Sequence, residues 1–335
     1  MANRLKQNRV QNFKKLRYFY KEKPAQPDIN MIIRKKEHWF KMLFVWHGSV
    51  IPRILPRLAM LFLLSVIIVS LHGIIFSFKV PLNPTPFTLF GFVLALFLGF
   101  RNNVSYERFW EGRKLWGGLL NDTRSLARQA LTLPDSPDEP ERTRRFVLML
   151  IAFTYALKHQ LRHTDASKDL KKRLDPEHFE LVEEANFKPI LIMKFMAQWV
   201  QQARLENKID SIQQSCFDQN FNKLSDIVGG CERIQSTPLP YSYSVLLHRT
   251  IYLYCFLLPF GLVDSLQWLT PLLVVFIGYT FVAFEAIADE IEQPFGKEPN
   301  DLALNAMCHT IESTLLELIG ENLPDVKIRA GTIID

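Results

Sequence analysis

The chain has 335 residues, 48% hydrophobic and 12% aromatic, with a charged fraction of 22%, a little below the roughly one quarter usual for soluble globular chains. Its net charge of +6 is unevenly placed: residues 1–53 carry thirteen Lys or Arg, from Arg4 to Arg53, against Glu22, Asp28 and Glu37. Charge alone would suit nucleic acid, but a basic flank directly before an apolar block is the retained cytoplasmic side of a membrane protein, so nucleic acid is excluded as a partner.

In chain order, residues 1–30 have little apolar pattern and hold Pro24 and Pro27, and we expect a poorly ordered extension there. Their polar, basic character argues against a cleavable signal peptide. Residues 31–57 form a juxtamembrane segment. Leu58 to Phe78 (LAMLFLLSVIIVSLHGIIFSF) is the first predicted membrane helix, 58–78, with Arg53 and Arg57 placed to snorkel at its entrance. A short turn, Lys79–Thr85, holds Pro81 and Pro84, and Thr85 with Pro86 reads as a helix start. The second membrane helix, 86–100 (PFTLFGFVLALFLGF), spans 15 residues and contains Gly91 and Gly99. It then turns polar without a stop, as an amphipathic helix would, and such a helix needs partners to cover it.

From 101 to 243 the pattern is helical, with breaks at Pro134–Pro140, around Asp165–Pro176 and at Gly229–Gly230, and we expect a cytoplasmic helical domain. The third and fourth membrane helices are placed at 244–264 and 268–289, and 290–335 is a polar C-terminal segment with an amphipathic stretch around Leu302–Ile319. The two connecting turns hold a single Lys, whereas the polar segments hold nearly all the other Lys and Arg. The positive-inside bias then puts both termini and the helical domain in the cytoplasm.

The fold class is therefore an all-α membrane protein, with four transmembrane helices and a cytoplasmic helical domain. Cys216, Cys231, Cys255 and Cys308 are scattered without a CxxC pair, so nothing indicates an oxidising compartment or a zinc cage. No GxSxG, Walker loop, GxGxxG or HExxH is present, so nothing points to an enzyme. His159 and His163 have a metal-capable spacing but no acidic third ligand at a known offset, and they read as two solvated histidines.

Phe92, Leu96 and Phe100 fall at i, i+4 and i+8, on one face of the second helix. The spacing suits ordinary helix packing. It also suits an apolar constriction built from one set of side chains per subunit, able to gate by dewetting. Glu285 lies inside the fourth helix and either marks its cytoplasmic end or forms an intramembrane pair with His248 or Arg249. The acids Asp289, Glu290 and Glu292 do not follow a calcium-loop spacing and read as a solvated helix end.

Four segments then resemble the bestrophin channels, most closely the bacterial branch: GFRNNVSYERFWEGRKLWG (Gly99–Gly117), MIIRKKEHWFKMLFVWHGSV (Met31–Val50), GGCERIQSTPLPYSY (Gly229–Tyr243) and EIEQPFGKEPNDLALN (Glu290–Asn305). The resemblance implies a homopentamer around a central pore in a bacterial inner membrane. Its pore neck falls on Phe92, Leu96 and Phe100 and its cytosolic aperture on Ile212; Arg101 and Asn102, just below that neck, are our candidates for pore-adjacent polar residues. Eukaryotic members clasp calcium with a run of acids after PFG. Here KEPND keeps only Glu298 and Asp301 acidic and Gln293 replaces an Asn, so no cofactor is expected and calcium gating is doubtful. The implied function is conduction of small monovalent ions, anions such as chloride or monovalent cations. A membrane-anchored scaffold for partner proteins or anionic lipid, or a secondary transporter, remains the alternative from another class.

Overall fold

The structure, a computed structural model, describes residues 38–46, 48–71, 74–75, 78–79, 83–134 and 140–323. The extension expected over 1–30 and the tail beyond 323 lie outside the described residues.

A single turn, α1 (Trp39–Met42), precedes α2 (Ile51–Ser70). Proline in the first turn of α2 gives up no hydrogen bond, because N–H groups there have no helical partner. The buried residues Ile54, Leu58, Leu61, Ser65 and Ile68 alternate by four and three, which is one helix face. Its 20 residues rise about 30 Å, the thickness of a bilayer's hydrocarbon. The helix ends at Ser70, short of the expected Phe78. Ile74–Ile75 (β1) instead pairs antiparallel with Phe78–Lys79 (β2), Ile75 opposite Phe78. Hydropathy runs across this point because an apolar stretch does not by itself tell helix from strand.

Next comes α3 (Pro84–Thr132), 49 residues without interruption and about 73 Å long. Its cap is Asn83, whose Oδ1 accepts from the Thr85 N–H at 2.9 Å, so the helix starts earlier than the Thr85–Pro86 signal suggested. It also runs straight through residue 100, where the sequence reading divides membrane from cytoplasmic segments.

The chain continues as α4 (Pro140–Arg162), α5 (Ser167–Leu170), α6 (Pro176–Glu184), α7 (Lys188–Leu205) and α8 (Ser211–Ser236). In α4 almost every residue from Phe146 to Lys158 is buried. An apolar run of that length is too short to span a bilayer and serves as the centre of a bundle. The expected break at Gly229–Gly230 is absent, for both lie within α8. A Cβ on Gly230 would stand 2.9 Å from the Leu115 side chain of α3, so this glycine permits close helix contact.

Two further helices, α9 (Tyr241–Leu266) and α10 (Thr270–Ile291), flank a 3-10 turn at Gln267–Leu269, where Gln267 takes φ 47°. Leu262 accepts from Thr270 Oγ1 at 3.3 Å, Tyr254 meets Phe281 edge-on at 5.4 Å, and His248 meets Glu285 at 2.7 Å. One residue number rises as the other falls, so the two helices form an antiparallel hairpin. Their bounds lie slightly outside 244–264 and 268–289. The last helix is α11 (Leu304–Leu318).

Among the described residues, three stretches are long and apolar enough to cross a membrane: Ile51–Ser70, Thr85–Thr132 and Tyr241–Ile291. The last is the hairpin, so α2, the first half of α3, α9 and α10 supply the four apolar segments. They pack around Ile54, Leu58, Leu94, Leu98, Ile251 and Val274. The rest of α3 enters a second, larger core with α4, α7, α8 and α11, built on Trp116, Leu126, Phe146, Phe153, Phe217 and Ile311.

Candidate functional site

The two faces of α3 differ along its whole length. Leu94, Leu98, Arg101, Ser105, Gly112 and Trp116 turn inward and are buried. At 100° per residue, Phe92, Leu96 and Phe100 lie on the opposite side, and they are 70%, 49% and 58% exposed. Large apolar side chains facing out of the subunit need lipid, a neighbouring subunit or one another for cover. A Cβ on Gly91 would press on the Tyr254 hydroxyl, whereas one on Gly99 would meet nothing within 4 Å, so only the first glycine serves packing inside the subunit.

Arg101 does not point the same way as Phe100. It is 3% exposed, and its Nη2 pairs with Asp289 Oδ1 and, at 3.5 Å, with Glu292 Oε2, both at the end of α10. Asn102 likewise turns inward and donates to the Leu98 carbonyl at 2.9 Å and the Phe284 carbonyl at 3.3 Å. Both residues join helices inside the subunit and are withheld from the exposed face, whereas the sequence reading places them just below the neck.

Seven residues on, Arg108 falls on the flank of the same buried stripe and donates to three carbonyls: Glu292 at 3.1 Å, Thr237 at 2.6 Å and Ile234 at 2.6 Å. Glu292 in turn accepts from the Leu239 N–H at 3.1 Å. This knot ties α3 to the ends of α8 and α10, and it makes Asp289 and Glu292 working ion-pair partners in place of a solvated helix end. The sequence reading passed over Arg108. Its spacing from Arg101, two helical turns, is the signal that would have found it.

Glu285 is 2% exposed, and its Oε1 lies 2.7 Å from His248 Nδ1. Of the two partners expected from sequence, His248 is the one in contact, while Arg249 is exposed.

Ile212 is 74% exposed, in the first turn of α8. Asp210 caps that helix reciprocally with Gln213: its side chain accepts from the Gln213 N–H at 2.7 Å, and its own N–H donates to Gln213 Oε1 at 2.8 Å. The cap fixes the orientation of the turn and so directs Ile212 outward.

Asp301 is 1% exposed, and its Oδ2 accepts from the Glu298 N–H at 2.7 Å. Burial holds the Asp301 carboxyl up at about 7. Glu298 itself is exposed, and among the described residues no group of three or more His, Cys, Asp or Glu is placed to hold a metal. Nor do the two histidines fit that role. His159 is part-buried and bonded to Asp169 at 2.9 Å and Thr164 at 2.7 Å, while His163 lies past the end of α4 with φ 50°. His159 is thus held within the subunit, whereas His163 is exposed, as expected of a solvated histidine.

Comparison with known proteins adds four findings. The family model described as "Bacterial/Fungal Bestrophin protein" matches residues 31–317. The chain is 49% identical over 306 residues to "Voltage-dependent anion channel-forming protein RSc3414" of Ralstonia nicotianae, covering 91% of this chain and 100% of that one. It is 39% identical over 292 residues to "Voltage-dependent anion channel-forming protein YneE" of Escherichia coli K12, covering 87% and 95%. Among solved structures it is similar to a bacterial bestrophin homologue from Klebsiella pneumoniae, with a TM-score of 0.77 and 40% identity over 80% of this chain and 99% of that one.

Proposed function

We propose, from the premise that the chain belongs to the bacterial and fungal bestrophin family, that it is a subunit of an ion channel for small monovalent ions. The names of its relatives favour anions such as chloride. The observation that carries the reading is the exposed apolar line of Phe92, Leu96 and Phe100. In the most apolar 18-residue stretch of α3 only 17% of residues are buried within the subunit, against 50% in the corresponding stretch of the α9–α10 hairpin. A helix so little covered by its own chain is an assembly surface, and its outermost line is suited to close on itself around an axis.

We read the assembly as a homopentamer in which the second membrane helix of each subunit contributes one Phe92, one Leu96 and one Phe100 to a common neck. Ile212 forms a second, shorter ring at the cytoplasmic exit. The protein sits in the inner membrane with both termini cytoplasmic, as the basic flank before α2 favours. Opening is a matter of widening and wetting an apolar constriction, without covalent chemistry.

Ion flux from liposomes holding the purified protein tests the reading. A scaffold passes no ions, and a secondary transporter gives saturable, coupled uptake. Mass measurement in detergent tests the assembly, and a monomer or dimer as sole species rules out the pentamer.

A further inference from the structure

If the neck is Phe92, Leu96 and Phe100, the same face of α3 can be followed below it. A helix returns almost to the same side every seven residues, with a drift of about 20°. Seven residues below Phe100 is Glu107, and seven below that is Lys114, each step about 10 Å of rise. Both are exposed, and both lie opposite the buried line of Ser105, Gly112 and Trp116.

Of the other charges on this part of α3, three are occupied inside the subunit, while Arg113 is exposed but lies about 100° round the helix from Lys114. Arg101 is held by Asp289 and Glu292, Arg108 by three carbonyls, and Glu111 by Arg233. Glu107 and Lys114 have no ion-pair partner among the described residues. Glu107 is instead steadied by a neutral donor, the Asn103 side-chain amide one turn above it, which donates to its Oε1 at 3.0 Å. Asn103 is itself on the exposed face, between Phe100 and Glu107. An amide neighbour orients a carboxylate without neutralising it, so the first uncompensated charge met below the neck is negative.

We propose that Glu107, oriented by Asn103, is a charge-selecting residue of the pore. Each subunit contributes one carboxylate just cytoplasmic of the neck, which draws cations and opposes anions, and Lys114 one step below acts in the opposite sense. This rests on the pore reading above. The charge preference then reflects a balance between two rings, and Arg101 has no direct part in it.

The experiment is a reversal-potential measurement in a KCl gradient across bilayers holding the full-length protein. Glu107→Gln is expected to lower the cation-to-anion permeability ratio by about twofold or more, the scale of a unit charge acting through water over several ångströms. Lys114→Gln is expected to raise it. To exclude a structural cause, Glu107→Cys in a Cys216→Ser background is treated with thiol reagents. A sulfonate-bearing reagent restores the wild-type ratio, and an ammonium-bearing one moves it further toward anions. A Glu107→Gln reversal potential equal to wild type, while neck variants still change conductance, overturns the role of Glu107 and leaves the pore reading standing. So does a Glu107→Cys thiol that no reagent reaches, because the side chain would then be covered between subunits. Absence of current from wild type and every variant overturns the pore reading and the proposal with it.

Discussion

Ile209 and Ile212 stand three residues apart and face opposite ways: Ile209 is 3% exposed and Ile212 is 74% exposed. The cap at Asp210 lies between them, and one isoleucine enters the core of the larger bundle while the other is held out of it. Ile209→Ala should therefore cost about 2–4 kcal/mol of stability, and Ile212→Ala less than about 0.5 kcal/mol. Permeation of larger ions should change only in the second. Melting temperature and conductance on one preparation separate them, and a large stability loss at Ile212 with unaltered permeation removes it from the pore.

Replacing Phe92, Leu96 and Phe100 together by Ala should widen and wet the proposed constriction and raise conductance or open probability. By contrast, Leu98→Ala, on the buried side of the same helix, should destabilise the protein by about 2–5 kcal/mol. Single-channel currents unchanged in the triple variant would place the barrier elsewhere.

Arg101→Gln should loosen α3 from the end of α10, at about 1–3 kcal/mol once the partial exposure of Asp289 is allowed for. Arg101→Lys should recover only part of this, because an ammonium cannot present the same fork to both acids. Thermal unfolding in detergent measures the loss. A shift in reversal potential without loss of stability would return Arg101 to the pore.

His248→Ala strands the Glu285 carboxylate, which is buried and has lost its nearest polar partner. The variant should unfold at a lower temperature than wild type, and adding Glu285→Gln should restore much of the difference, since a neutral amide is cheaper to bury than an unpaired charge. No recovery in the double variant would mean that the pair is not coupled.

Asp301 gives a pH dependence of known sign. Its folded value, about 7, is raised above the ordinary carboxylate value of 3.8, so charging it costs the folded state more than the unfolded one. Its contribution is fully present below about pH 4 and is lost as pH rises through 7. Asp301→Asn, which cannot ionise, should match wild type in acid and gain on it by up to a few kcal/mol toward pH 8. A pH-independent difference in melting temperature would refute this. The same variant, like Glu298→Gln, should leave micromolar calcium without a steep effect on current.

The apolar segments, the common face of Phe92, Leu96 and Phe100, and the long helical domain were legible because each rests on periodicity or hydropathy, which a single chain displays directly. The end of α2 was not, since Ile74 and Phe78 are as apolar in a strand as in a helix. Gly229–Gly230 misled for a different reason: glycine weakens an isolated helix, but in α8 the gain of seating Leu115 against Gly230 depends on a partner more than a hundred residues away. Arg101 was read as adjacent to the pore from its place just below Phe100. Its true direction was available in its spacing from Leu94 and Leu98, which share its stripe.

The uninterrupted run of α3 from Pro84 to Thr132 has a consequence for how such a chain can change over evolutionary time. One residue inserted between Phe100 and Gly112 would turn everything below by about 100° and push it 1.5 Å along the axis. Gly112 would then no longer sit under Phe295 and Leu302, whose side-chain atoms come within 3.1–3.3 Å of where its Cβ would be. Point substitutions in this stretch can be absorbed one at a time, but a length change cannot. The distance in residues from Phe100 to Gly112 should therefore stay fixed among relatives whose loops vary freely.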